Sequence, residues 1–138
     1  PEFHALLAAQ KVTVLSQTPS AFDTLLQTVA GEDGAAGELG CVETVVFGGE
    51  ALVASRLGAW LAGPGRRPRL INMYGITETT VHATWREITA ADTVTGPGSP
   101  VGVGLAGMRV AVLDNGLRMA PVGVTGELYL AGPQVADG

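Results

Sequence analysis

The chain has 138 residues, a formal net charge of −5, 46% hydrophobic residues and 15% charged residues. This length fits one domain or part of a larger one with a sizeable core. The acidic balance argues against a nucleic-acid-binding surface, which needs clustered Lys and Arg. The apolar runs are far shorter than the ~20 residues that span a bilayer. Cys41 is the only cysteine, which excludes an internal disulfide or a cysteine-based metal site. We therefore expect a cytoplasmic protein with no nucleic-acid or membrane partner.

The first thirty residues predict a helix, a strand and a second helix. Apolar residues at helical spacing open the chain, and "KVTVLSQTP" (11–19) has the composition of a strand. The next helix is predicted over 20–30, with Ser20 as its N-cap and Asp23 as the partner in a weak capping box.

The same alternation continues as far as residue 81. Glycines predict a loop over 31–40, and a buried strand follows over 41–50, opened by Cys41 as a small buried hydrophobe. Helical spacing resumes around 57–61, and "RLINMYG" (69–75) predicts a third buried strand, followed by a helical turn in "ITETTV". Strands that alternate with helices predict a parallel sheet with crossover helices, an α/β fold.

After "GPGSP", the sequence pattern changes to short strand-like runs separated by turn residues. Strands are predicted at "MRVAVLD" (108–114), "LRMAPVG" (117–123) and "GELYLAG" (126–132). We therefore divide the chain into an α/β portion, 1–91, and the start of a β-barrel or small antiparallel sheet, 92–138.

The segment "GVGLAG" (102–107) fits the G-x-G-x-x-G pattern of dinucleotide-binding loops. That pattern needs a strand before it and a helix after it. Here a turn-rich segment precedes it and a strand-like run follows, so we interpret it as a loop that enters the small β unit.

Two other segments lie where ligands collect in parallel α/β sheets. "FGGEA" (47–51) and "NMYGITE" (72–78) each follow a predicted strand and precede a predicted helix. Because ligands bind at the carboxyl ends of the strands in such sheets, both segments are candidates for a binding site.

The residue types in these segments suit a nucleotide base. Tyr74 offers a flat face for stacking, and Asn72 offers both a donor and an acceptor, as an adenine edge requires. Gly48, Gly49 and Gly75 allow the backbone to approach a ligand closely.

The next residues suit phosphate and metal. Thr77 can present its hydroxyl to a phosphate, and Glu78 is a hard oxygen ligand for Mg²⁺. A purely structural interpretation stays open, in which Asn72 and Gly75 form a turn, Thr77 caps a helix and Glu78 is solvated. His82 lies four residues after Glu78, but one Glu and one His are a weak metal signal, and a lone His is more often part of a pocket lining or a satisfied core residue.

Five segments in chain order resemble the amino-acid-activating adenylation domain of nonribosomal peptide synthetases. They are "VTVLSQTPSAF", "VVFGGEAL", "LINMYGITETTVHAT", "GSPVGVGLAG" and "GELYLAG", of which "NMYGITETT" is the most specific. The family belongs to the adenylate-forming superfamily, with acyl-CoA ligases and luciferases. The resemblance implies part of the large N-terminal lobe of such an enzyme, with parallel β-α-β layers followed by an incomplete small β-barrel.

The resemblance also implies a two-step ligase reaction. The carboxylate of an amino acid attacks the α-phosphorus of ATP with Mg²⁺, which yields aminoacyl-AMP and pyrophosphate. A phosphopantetheine thiol on a peptidyl carrier domain then takes the aminoacyl group as a thioester, and a condensation domain is a further partner.

By resemblance, the nucleotide contacts fall on the residues already singled out. Asn72 should meet the adenine amino edge, Tyr74 should lie on the adenine face, and Gly49, Glu50 and Ala51 should run along the base as backbone.

The remaining nucleotide-site roles follow the same motif. Gly75 belongs to the nucleotide-binding set, Thr77 should contact the α-phosphate, and Glu78 should bind Mg²⁺. Thr77 and Glu78 are the catalytic candidates.

The resemblance further implies a pocket for the amino-acid side chain. Its lining positions in this chain are Ser16, Val46, Gly48, Met73, Val81 and His82. Gly48 leaves the floor open, Met73 and the two valines narrow the walls, and Ser16 and His82 offer hydrogen bonds. The partial set Gly-Met-Val-His is similar to the family's threonine-activating pattern, so threonine is the substrate hypothesis.

Two positions depart from the family pattern. Ile76 stands where proline is frequent, and Asp137 stands where arginine is usual, which puts the role of that last turn in doubt. The chain begins at Pro1 and stops soon after a strand-like run, so we expect an excised piece of a longer polypeptide. The family's phosphate loop, two aspartates and catalytic lysine have no match here, and we expect the piece to be inactive alone. Acyl- or aryl-CoA ligase, noncatalytic relic and weak nucleotide-binding module remain alternatives.

Overall fold

The computed structural model describes residues 2–30, 39–96 and 98–137. Most of the loop predicted over 31–40 lies outside the described residues. The helices are α1 (Glu2–Ala9), α2 (Pro19–Ala30) and α3 (Gly58–Ala62). The strands are β1 (Val14–Gln17), β2 (Thr44–Phe47), β3 (Arg69–Tyr74), β4 (Thr84–Ile88), β5 (Val103–Gly104), β6 (Arg109–Leu113) and β7 (Glu127–Ala131). Short 3₁₀ turns cover Ala54–Leu57, Thr77–Thr79 and Ala90–Thr93.

Strands β1 to β5 form one sheet in chain order, and β6 and β7 form a second. β1, β2 and β3 are parallel, while β4 and β5 run antiparallel to their neighbours. The predicted α/β class is confirmed. Strand β4 was missed by the sequence analysis, because its exposed residues 85–87 lack the alternation of a half-buried strand.

The core lies between the sheet and helices α2 and α3. Phe22 packs edge-on against Phe47 and Trp60, with ring centroids 5.1 Å and 5.6 Å apart. Such pairs stabilise beyond the area that they bury. In the described part of the chain, no helix has the length and apolar character needed to cross a bilayer.

The predicted cap of α2 was wrong by two residues. The helix starts at Pro19, whose fixed φ suits the first helical position. Thr18 is therefore the residue before the helix, and its Oγ1 accepts the N–H of Ala21 at 3.3 Å. Asp23 is not part of a capping box with Ser20; it pairs with Arg56 at 3.1 Å.

Two further details differ from the sequence predictions. Cys41 is exposed and precedes β2 rather than opening a buried strand. The run 117–123 forms no strand; Met119 makes one isolated bridge with Leu113. Leu117 has φ 58°, so the chain turns there instead of extending, and Pro121 lacks a backbone donor.

The "GVGLAG" segment is not a dinucleotide loop. Val103–Gly104 within it is strand β5, which pairs with β4, and strand β6 follows. Gly102 makes this pairing possible, since a Cβ there would lie 2.0 Å from the Trp85 carbonyl oxygen.

One buried carboxylate orders the segment between β4 and β5. Asp92 accepts the backbone N–H and the hydroxyl of Thr89, both at 2.9 Å, and pairs with the Arg86 guanidinium. The Thr89 N–H, and after it Arg86, hold the pKa of the Asp92 carboxyl below its usual value.

A carboxyl whose pKa falls on folding stabilises the fold above its unfolded pKa of about 3.9, and this contribution disappears as the pH drops through the folded pKa. Asp92→Asn should therefore loosen residues 86–96 at pH 7, by on the order of 1 kcal/mol, and by less as the pH falls through the folded pKa of Asp92. Hydrogen exchange of this segment, with the variant compared with wild type at each pH, measures the difference.

Glu87→Gln is the matched control, because Glu87 forms an exposed ion pair with Arg69. It should change exchange less than Asp92→Asn at pH 7. If both variants changed hydrogen exchange equally at pH 7, the role given to Asp92 would be contradicted. The same holds if the difference in exchange between Asp92→Asn and wild type did not shrink as the pH falls.

Candidate functional site

A cavity of about 440 Å³ opens at the carboxyl ends of β2 and β3. Residues 49–51 and 72–76 line it, together with Ser99 and Val101. The two segments selected from the sequence thus meet at one cavity. Ser99 and Val101 were missed as lining residues, since the turn "GPGSP" and the resemblance of "GSPVGVGLAG" gave neither residue a role.

The register of the sheet sends neighbouring residues of β3 to opposite faces. Asn72 pairs with Phe47 of β2, so it lies on the face that carries the core. Met73, one residue later, lies on the other face, as successive strand side chains must. Ser16 and Val46 are paired with each other in β1 and β2 and share the Met73 face.

The Asn72 amide is fixed by two acceptors. The side chain is 2% exposed, and its Nδ2 donates to the Pro100 carbonyl at 2.8 Å and to Ser99 Oγ at 3.3 Å. A carbonyl can only accept, so this contact identifies the nitrogen of the amide. Asn72 Oδ1 is buried and has no partner among the described residues. Asn72 lines the cavity, so a residue of the cavity wall carries an acceptor with no partner among the described residues.

Tyr74 and Gly75 form the end of the same wall. Tyr74 is half-buried at the end of β3, and its carbonyl accepts the Ala83 N–H at 2.7 Å. A Cβ at Gly75 would lie 2.2 Å from the Val81 carbonyl oxygen and 2.6 Å from His82 Cα. Only glycine lets the chain at 81–82 pass this close.

The Glu50 side chain is engaged elsewhere. Its carboxylate accepts the Ser20 hydroxyl at 2.9 Å and the Ser20 N–H at 3.2 Å. This places the charge at the N-terminus of α2, where the helix dipole favours an anion. Glu50 can therefore serve the cavity through its backbone, as the sequence analysis predicts.

Thr77 and Glu78 lie beside the cavity on a single 3₁₀ turn and are both exposed. Thr79 braces the turn, because its Oγ1 contacts both the nitrogen and the oxygen of Ile76 at 3.0 Å. The Glu78 carbonyl accepts the Ala136 N–H at 2.8 Å. No group of three or more His, Cys, Asp or Glu that could hold a metal occurs within residues 2–30, 39–96 and 98–137. A cation at Glu78 would thus need ligands from phosphate or water.

The predicted side-chain pocket is partly assembled. A Cβ at Gly48 would lie 2.8 Å from His82 Nε2, so Gly48 and His82 face each other directly. Ser16 is exposed, and Val81 is 66% exposed. The open Met73 face of the sheet thus carries Ser16 and Val46, while the Gly48–His82 contact lies just beyond the end of β2.

Comparison with known proteins addresses the family. The family model described as "AMP-binding enzyme" matches residues 1–138. The chain belongs to the AMP-binding enzyme family. It is 45% identical over 137 residues to a dimodular nonribosomal peptide synthase of Bacillus subtilis (strain 168), covering 99% of this chain and 6% of that protein. It is also 45% identical over 133 residues to syringomycin synthase SyrB1 of Pseudomonas syringae, covering 96% and 21%.

A solved structure carries the same fold. The nonribosomal peptide synthetase FmoA3, with α-methyl-L-serine-AMP bound, superposes with a TM-score of 0.84 at 25% identity, covering 99% of this chain and 15% of that one. FmoA3 was also solved with AMPPNP bound. The resemblance to nonribosomal peptide synthetase adenylation domains is confirmed, and the chain spans about a fifth or less of the length of these relatives.

Gly75→Ala should disrupt the contact between residues 75 and 81–82. The new Cβ would collide with backbone, which cannot move aside as a flexible side chain can, and such overpacking costs about 1–3 kcal/mol. Hydrogen exchange of residues 76–85, in the full-length protein that carries this sequence, should increase. Gly98→Ala is the matched control, since a Cβ there meets nothing within 4 Å. Unchanged exchange in Gly75→Ala would contradict the close approach.

Proposed function

We propose that this chain forms the adenine-binding wall and part of the substrate pocket of an amino-acid adenylation domain. The domain joins an amino acid to AMP and then passes the aminoacyl group to the phosphopantetheine of a carrier domain. The observation that carries the proposal is that Asn72, whose buried Oδ1 has no partner among the described residues, lines with Tyr74 a cavity at the carboxyl ends of parallel strands. The nonribosomal peptide synthetase relatives support the reaction. The carrier and condensation partners and a place in the cytoplasm belong to the same proposal.

The residue types that line the cavity suit ATP. Asn72 Oδ1 can accept the adenine amino group, Tyr74 can stack on the ring, and the backbone of 49–51 can follow its edge. The Thr77 hydroxyl can orient the α-phosphate from the turn beside the cavity. Mg²⁺ held by Glu78 and the phosphates would offset the charge that builds up on the phosphate oxygens. The chain's own contribution is therefore to position the nucleotide.

Threonine is the proposed substrate. Its methyl group suits a wall of Val46 and Met73, and its hydroxyl suits the imidazole of His82, which lies over Gly48. The bound ligand of FmoA3, α-methyl-L-serine-AMP, also carries a side-chain hydroxyl, which supports a pocket of this kind.

Tyr74→Ala and Tyr74→Phe test the adenine wall. Loss of a stacked ring costs about 1–3 kcal/mol per base, so Tyr74→Ala should raise the KM for ATP by roughly 5- to 150-fold. Tyr74→Phe keeps the flat face and should stay within about threefold of wild type. Amino-acid-dependent exchange of pyrophosphate into ATP, by the full-length protein that carries this sequence, is the assay.

The KM for the amino acid is the internal control and should change little in either variant. Equal KM values for ATP in Tyr74→Ala and wild type would contradict the proposal. Nucleotide binding without exchange for any amino acid would favour a noncatalytic relic, and coenzyme A thioester formation from plain acids would favour an acyl- or aryl-CoA ligase.

His82→Ala tests the substrate. Removing the imidazole leaves the threonine hydroxyl without its partner, which costs about 1–3 kcal/mol. The ratio of kcat/KM for threonine to that for valine should therefore fall by roughly 5- to 150-fold, while the KM for ATP changes little. Equal losses for threonine and valine in the exchange assay would count against threonine.

A further inference from the structure

The Ser99 hydroxyl holds two donors at the wall of the cavity. Its oxygen lies 3.0 Å from the Leu52 backbone nitrogen and 3.3 Å from Asn72 Nδ2. Both partners carry hydrogens and no free lone pair, so the Ser99 oxygen must be the acceptor in both contacts.

This arrangement leaves the hydroxyl hydrogen of Ser99 without a partner. A hydroxyl has two acceptor sites and one hydrogen, and Leu52 and Asn72 occupy both acceptor sites. No acceptor for the hydrogen occurs within the described parts of the chain. Ser99 is only half-buried and lines the cavity, so the hydrogen is available to a bound molecule.

Two neighbouring residues of the cavity wall thus supply one acceptor and one donor. The acceptor is Asn72 Oδ1, whose amide nitrogen is fixed by Pro100, and the donor is the Ser99 O–H. Adenine presents the complementary pair, an amino donor next to a ring-nitrogen acceptor. Guanine presents a carbonyl acceptor at the position of that amino group, and hypoxanthine does the same. Either base would face Asn72 Oδ1 with a second acceptor.

We propose that Ser99 is an adenine-recognition residue: its hydroxyl donates to the ring nitrogen beside the adenine amino group while Asn72 Oδ1 accepts from that amino group. The inference rests on the proposed function, that this cavity binds ATP. It adds a second base contact, and it explains how the cavity can reject the other purines. Ser99 Oγ also accepts from the Asn72 amide nitrogen, so the two recognition residues contact each other.

The first experiment needs no substitution. The full-length protein that carries this sequence is titrated by calorimetry with ATP, 1-deaza-ATP and 7-deaza-ATP. 1-deaza-ATP has C–H in place of the ring nitrogen that is bonded to the amino-bearing carbon. 7-deaza-ATP has C–H in place of the nitrogen that is bonded to the neighbouring ring carbon. We expect one analogue to bind roughly 5- to 10-fold more weakly than ATP, which is the size of one hydrogen bond. If both analogues bind as tightly as ATP, the proposal is overturned.

The second experiment separates direct contact from a structural role. Ser99→Ala should weaken the binding of ATP roughly 5- to 10-fold and leave the binding of the weaker deaza analogue nearly unchanged. The dissociation constants of the two ligands should therefore become similar. The substitution should also narrow the preference for ATP over GTP and ITP. Ser99→Thr keeps the hydroxyl and should retain the wild-type pattern. Ser55→Ala, at an exposed serine of the turn Ala54–Leu57, is the control and should match wild type.

The outcomes distinguish this inference from the proposed function. If Ser99→Ala weakens the binding of ATP and of both analogues by the same factor, the hydroxyl acts only by ordering the segment before β5. The inference then fails, while the proposal that the cavity binds ATP stands. If wild type binds none of the three nucleotides, both the inference and the proposed function fail.

Discussion

The hydrogen bond from Asn72 Nδ2 to the Pro100 carbonyl is the contact on which the site depends. It joins the end of β3 to the segment between the Ala90–Thr93 turn and β5, and it fixes which end of the amide is free. Burying an unpaired acceptor costs about 1–3 kcal/mol, and the fold carries that cost at Asn72 Oδ1. A ligand with a donor that reaches Asn72 Oδ1 would remove this cost on binding.

Because side chains alternate along β3, its two faces carry different sets of candidate site residues. Asn72 and Tyr74 lie on the face that continues into the core, while Met73 between them lies on the opposite face with Val46. The proposed nucleotide and substrate groups would thus approach one strand end from its two faces, and Met73 lines the cavity as well. A one-residue slip of this strand would exchange the two faces, and the four paired positions between β2 and β3 oppose such a slip.

Local patterns in the sequence were enough for the parallel strands and for the two segments that line the cavity. Asn72 and Tyr74 could be selected because a buried strand followed by polar and aromatic residues is a local signal. Ser99 could not, because its role depends on contacts with Leu52 and Asn72, 47 and 27 residues away. Strand β4 was missed for a similar reason, since its pairing with β3 is visible only once the chain has folded back after the turn at Thr77–Thr79.

The same turn links the cavity to the second sheet. Thr80 and Val81 have φ of 53° and 79°, and β-branched residues adopt such values only when their surroundings impose them. The imposing contacts come from the segment after β7: Thr80 Oγ1 donates to the Gln134 carbonyl at 2.8 Å, and the Ala136 N–H binds the Glu78 carbonyl. Gly75 packs against the other side of the same loop. The loop between Glu78 and His82 is therefore held from both sheets, so a shift of β6 and β7 would move the candidate metal ligand and the candidate substrate residue together.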